Sequence, residues 1–219
     1  MLQKKADELL RRHPELRDLA GRMKIQVKRK DSTMECEETY LKAEESVFTP
    51  LSGTESSGER VDRLRRVLLS LEGLVSESPS EGRYWALLGV ARYFLLGETV
   101  EVDGESVRST LEKALALAPE CFHARLYLAY QCFDEGDYGC ASSLIDTVLN
   151  EDCDRLATWT QLKLRELSIV CRIRMDAEAV SARDLIAFHE LWSTTAEDDR
   201  VFPDELCRTM KLDAILGRE

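Results

Sequence analysis

The chain has 219 residues, of which 44% are hydrophobic, and carries a formal net charge of −11. That length suits one domain with a flanking element, and that composition excludes a fully disordered chain. No run approaches eighteen consecutive apolar residues and no apolar core follows Met1-Leu2-Gln3-Lys4-Lys5, so neither a membrane span nor a secretory signal is expected.

Residues 2–12 form the first helix candidate, with Leu2, Ala6, Leu9 and Leu10 on one side. His13-Pro14 interrupts it, and Pro14 can open a second helix carrying Leu16, Leu19, Ala20, Met23 and Val27 to about residue 29. Ser32 and Glu35 have capping-box spacing for a third helix, whose face holds Cys36, Tyr40, Ala43 and Val47. Residues 49–58 are rich in Ser, Thr, Gly and Pro and read as a linker with phosphorylatable positions. A strong amphipathic helix is expected over 59–76, striped by Leu64, Val67, Leu68, Leu71, Leu74 and Val75 and stopped by Pro79. Helical hairpins follow at 82–96 with 105–118, and at 122–134 with 138–149. In the first, 97–104 is a long acidic connection in which Val100 and Val102 allow a short β-turn extension. The second turns at Glu135-Gly136-Asp137. A third hairpin pairs a helix over about 153–174 with one capped by Ser181 and running to Trp192. A last helix, about 203–216, is amphipathic through Leu206, Met210 and Ile215.

Charge is unevenly spread. Residues 1–30 hold ten Lys/Arg against four Asp/Glu, 31–60 hold two against eight, and 120–152 hold one against seven. An acidic body repels nucleic-acid phosphates and suits a basic client, although solubility alone also accounts for it. The tract Lys24-Ile25-Gln26-Val27-Lys28-Arg29-Lys30 reads as a solvated helix face, an import signal, a nucleic-acid contact or an internal partner for acidic residues. Seven cysteines without C-x-x-C spacing sit among apolar helix positions. They read as small buried hydrophobes in a reducing compartment rather than disulfides or zinc ligands.

The hairpins repeat. Ala114 to Val148 is 34 residues, and so is Arg125 to Trp159. A fixed period of this length means stacked helical hairpins, none able to bury its apolar face alone. Trp85, Leu88 and Gly89 open one unit, which Ala114 and Pro119 close. Leu128, Ala129, Gly136, Tyr138, Ala141 and Val148 mark the second, and Trp159 and Leu162 the third. On these residues, over about 59–192, the chain resembles the tetratricopeptide repeat (TPR) family. The resemblance implies an all-α, short right-handed TPR-like solenoid. The division expected is an N-terminal helical arm at 1–48, a flexible linker at 49–58 and a helical domain with a C-terminal capping helix at 59–219.

In that family the first helices of successive repeats line a concave groove that binds protein segments. Carried over, the groove face is Arg83, Val90, Tyr93, His123, Tyr127, Tyr130, Gln161 and Leu164, with Phe94 and Phe133 either joining it or packing between hairpins. One TPR subgroup holds the acidic tails of heat-shock chaperones in a carboxylate clamp of Lys, Asn and Arg. Its first pair falls here on Ala86 and Val90, and its second Asn on Tyr127, so that clamp is absent and no such tail is expected.

Catalytic signatures are missing from the sequence. There is no phosphate loop, no G-x-S-x-G and no H-E-x-x-H, since Ser193 stands where the second His would follow His189-Glu190. His13, His123 and His189 are far apart. The expectation is a non-catalytic interaction module without cofactor or metal, an adaptor or scaffold subunit in the cytoplasm or nucleus. Two alternatives stand beside it: an acidic chaperone shielding a basic client such as a ribosomal protein, and a nucleic-acid-associated protein using residues 22–30.

Overall fold

A computed structural model describes residues 33–49, 55–98, 106–176, 180–200 and 202–210. The expected helices at 2–12 and 14–29, the Ser32 cap, the Val100/Val102 extension and Ile215 lie outside them. The described residues contain nine α-helices and no strand. The chain divides into two units, Met1–Pro50 and Leu51–Glu219. In the first, α1 spans 33–48, and Cys36, Ala43 and Val47 are buried at helical spacing.

The second unit begins with α2, Ser57–Glu77. It starts inside the expected linker, because Ser56 and Glu59 form a reciprocal capping box: Glu59 N–H donates to Ser56 Oγ, and Ser56 N–H donates to the Glu59 carboxylate. Then come α3 (Gly82–Gly97), α4 (Val107–Leu117), α5 (Phe122–Asp134) and α6 (Tyr138–Glu151). Ser106 and Asp137 cap α4 and α6 through their side-chain oxygens. Gly136 has φ +79°, a left-handed turn residue that reverses the chain between α5 and α6.

The third hairpin departs from the expected boundaries. A 3-10 turn, Cys153–Arg155, precedes α7 (Thr158–Met175). Gln161 Nε2 donates to the carbonyls of Cys153 and Leu156 and pins that turn, so the helix cannot begin at 153. α8 (Ala182–Thr194) has the expected Ser181 cap, completed by Asp184. α9 is short, Asp204–Thr209, and packs on α7.

Packing follows the chain. Each helix from α2 to α7 lies against the next, and α3 also touches α5. α3 is therefore enclosed by α2, α4 and α5, and it is apolar nearly all round, as an enclosed helix must be. Close approaches make this possible. A β-carbon at Gly89 would stand 2.5 Å from Leu111 Cδ2, and one at Gly82 would stand 2.6 Å from Ala118 Cβ. Buried polar groups fasten successive elements. Arg92 reaches Thr110 Oγ1 at 2.8 Å and Glu72 at 3.3 Å, joining α2, α3 and α4. Trp85 Nε1 donates to the Pro79 carbonyl at 2.9 Å, while Lys113 Nζ stands 3.5 Å above its ring. Arg108 of α4 binds Glu112, Glu135 and Asp137, reaching the α5–α6 turn. At the far end, Ile169, Val170, Phe188 and Leu206 form a core that Phe133 and Trp192 flank. Glu166, 1% exposed, sits beside it. Its carboxylate accepts the Leu206 backbone N–H at 2.9 Å and pairs with Lys163 at 2.8 Å. That bond holds the first turn of α9.

No described helix is long and apolar enough to cross a membrane.

Candidate functional site

Side chains at i and i+3 of a helix share a face, so Tyr127 and Tyr130 of α5 project together. The α3–α5 contact brings Tyr93 and Phe94 to the same place. Four half-buried rings meet there. Tyr93 lies 5.6 Å from Tyr127, edge to face, and 6.4 Å from Tyr130, stacked. Phe94 meets Tyr127 at 5.3 Å, and Tyr127 meets Tyr130 at 6.0 Å. These separations are those of rings packed on each other. The four rings form one continuous cluster across α3 and α5.

Charged groups border it. Tyr93 Oη donates to Asp134 Oδ2 at 2.9 Å. Burial pushes the Asp134 carboxyl above its ordinary value, with Glu205 and Glu135 adding repulsion, while the Tyr93 hydroxyl partly offsets both. The Arg60 guanidinium lies 5.6 Å from the Phe94 ring centroid and pairs with Glu98 at 2.9 Å. Glu98 also accepts from Ser57 Oγ. Together Arg60, Tyr93, Phe94, Leu96, Glu98 and Asp134 line a hollow of about 370 Å³. Burial raises all three tyrosine hydroxyls, Tyr127 to about 12, so they remain neutral donors at physiological pH.

The remaining expected groove residues are placed differently. Val90 and Leu164 are each 0% exposed and reach no surface. The cause is enclosure: α3 has neighbours on three sides, and α7 packs against α6, α8 and α9. Arg83 is half-buried, with its guanidinium 5.2 Å from the Tyr84 ring and 3.5 Å from Glu81. His123 lies 5.2 Å from Phe122, and Gln161 is engaged with the 3-10 turn. Phe133 packs against the Ile169–Leu206 core and Tyr138 rather than joining the four rings.

Asp134, Arg60 and Glu98 were not singled out by sequence. Arg60 and Glu98 lie 38 residues apart, and Tyr93 and Asp134 lie 41 apart, so only the packed fold joins them. The same holds for Cys132 and Cys140, whose Sγ atoms stand 2.8 Å apart across the α5–α6 turn. Their signal in the sequence is that they flank the Gly136 turn on adjoining helix ends.

Family models, curated proteins and solved structures were all compared with the chain, and none matches it.

Proposed function

We propose that this protein is a non-catalytic binding module of the TPR-like kind, holding a protein segment on the Tyr93–Phe94–Tyr127–Tyr130 face. The observation that carries the reading is that four-ring cluster itself. Tyrosine offers large contact area, few rotamers to freeze and a hydroxyl handle, and such residues dominate binding hot spots. The Tyr93 hydroxyl is spent on Asp134, and the neutral Tyr130 hydroxyl can donate to a carbonyl of a bound chain. The order of packing, hairpin on hairpin with α3 against α5, supports a stacked repeat arrangement whose first helices line one face.

Asp134, which Glu205 and Glu135 repel, favours a segment with Lys or Arg beside an apolar anchor. Fluorescence anisotropy against panels of basic, neutral and acidic peptides tests this. Tyr130→Ala, with helicity checked by circular dichroism, is expected to weaken the best basic peptide at least tenfold. Equal affinity in wild type and variant places binding elsewhere.

The acidic-chaperone reading gains from the same carboxylate, since the repulsion that Glu205 and Glu135 exert on Asp134 is one that a basic client relieves. It differs in its salt dependence. Binding lost at high salt and indifferent to Tyr130→Ala favours the chaperone, because exposed charge contacts are screened and apolar anchors are not.

A further inference from the structure

The α5–α6 turn brings two thiols together. Gly136 reverses the chain, and the Asp137 N–H donates to the Cys132 carbonyl at 2.8 Å, which holds the end of α5 against the start of α6. Cys132 is 0% exposed, Cys140 is half-buried, and the Cys132 thiol donates to Cys140 Sγ. Asp137 completes a group whose ligand atoms lie within 4.8 Å of one another, a set that also suits a soft divalent metal. Its oxygens, however, are engaged. Oδ1 accepts the Cys140 N–H at 3.2 Å and Oδ2 binds Arg108 at 2.9 Å. Turning Asp137 toward a metal would uncap α6 and break its Arg108 pair, whereas joining the two sulfurs disturbs neither. A disulfide bond measures about 2.05 Å, so the sulfurs need to approach by less than about 1 Å.

We propose that Cys132 and Cys140 are a reversible dithiol–disulfide pair, oxidised by a small-molecule disulfide of the glutathione type. Cys140, the accessible member, attacks as thiolate on one sulfur of the small disulfide. That bond breaks, one small thiolate leaves and takes a proton, and Cys140 is held as a mixed disulfide. Cys132 then gives its proton to solvent and attacks the Cys140 sulfur, displacing the second small thiolate. Two protein thiols are oxidised by two electrons, and one small disulfide is reduced to two thiols. Burial pushes the Cys132 thiol up, so it stays protonated while Cys140 reacts first; the 2.8 Å approach of its sulfur to Cys140 Sγ, and not its acidity, is what favours the second, resolving step. Such a pair is compatible with a reducing compartment, where transient disulfides act as sensors. The bond would tie down the end of α5, the helix that carries Tyr127 and Tyr130.

The test equilibrates the full-length protein with graded ratios of reduced and oxidised glutathione. Free thiols are trapped by alkylation and read by mass spectrometry. Cys132, Cys140 and Cys153 share one tryptic peptide, 126–155, so a second cleavage after Glu135 is required to separate the first two. The expected result is joint loss of alkylation at Cys132 and Cys140, loss of two hydrogens from the peptide, and a melting temperature raised by about 5 °C. Cys132→Ser should leave Cys140 as the glutathione adduct. If that variant fails to fold, Cys140→Ser serves, and there Cys132 should stay reduced. Both thiols remaining alkylatable across the range, or Cys140 pairing with Cys153 instead, overturns the proposal. Zinc alone protecting both thiols, with no loss of hydrogens after its removal, overturns it in favour of a metal site.

Discussion

Replacing Gly89 by Ala tests the packing that sets α3 against α4. The added methyl would stand 2.5 Å from Leu111 Cδ2 and 2.6 Å from Cγ, where ordinary carbon contacts are about 3.5–4.0 Å. Leu111 must therefore move by about 1 Å, yet it is 0% exposed. Overpacking of this kind costs about 1–3 kcal/mol. Removing a glycine from a helix interior returns about 0.8–1.0 kcal/mol. Gly73 supplies the control. It lies within α2 with nothing inside 4 Å of an added β-carbon, so Gly73→Ala should show the propensity gain alone. The difference between the two variants isolates the overpacking, about 1–3 kcal/mol, or about 2–12 °C in melting temperature for a domain of this size. Urea titration with circular dichroism gives both numbers. Leu111→Ala alone should cost about 2–5 kcal/mol, and less in the Gly89→Ala background because the new methyl fills part of the cavity. If Gly89→Ala stabilises the protein as much as Gly73→Ala does, α3 and α4 do not meet at Leu111 and the close-approach argument fails.

Glu166→Ala should leave the Leu206 N–H without its acceptor and destabilise the α9 end by about 1–3 kcal/mol. Hydrogen exchange at Leu206 should rise sharply, and much less in Glu166→Gln; equal exchange in both variants would refute the anchoring role. Asp134 has a folded pKa raised above its ordinary 3.8, chiefly by burial, so the folded state binds its proton more tightly. Its contribution to stability is accordingly present below that ordinary value and is lost as pH rises through the raised one. Asp134→Asn should flatten that part of the stability–pH curve, and an unchanged slope would contradict the assignment. Trp85→Phe removes the donor to the Pro79 carbonyl and should cost about 1 kcal/mol in urea unfolding, with no loss expected if that bond is formed only transiently.

The hairpin boundaries were legible because they rest on local signals: glycine at the α5–α6 turn, Ser181 before α8, and apolar spacing throughout α2. The start of α2 was missed because Ser56 and Glu59 lie in a stretch whose composition resembles a linker, and composition hides a single capping pair. The start of α7 was missed because Gln161 binds backwards to Cys153 and Leu156, a contact that helical periodicity does not encode. The tyrosines could be picked out from their helix face, but their gathering into one cluster depends on the α3–α5 crossing. Val90 shows the limit of that method. It is 0% exposed in a helix enclosed by α2, α4 and α5, an enclosure that the pattern of one hairpin does not encode.

Arg108 has a further consequence. One guanidinium reaches from α4 to carboxylates on both sides of the α5–α6 turn, so a single long side chain adds a charged strut to the packing of two hairpins. These hairpins are therefore not interchangeable modules. A copy of the α5–α6 hairpin grafted elsewhere in the stack would arrive with Glu135 and Asp137 but without the cation that neutralises them. Duplication or recombination of hairpins in this chain would have to carry the strut along with the turn it supports.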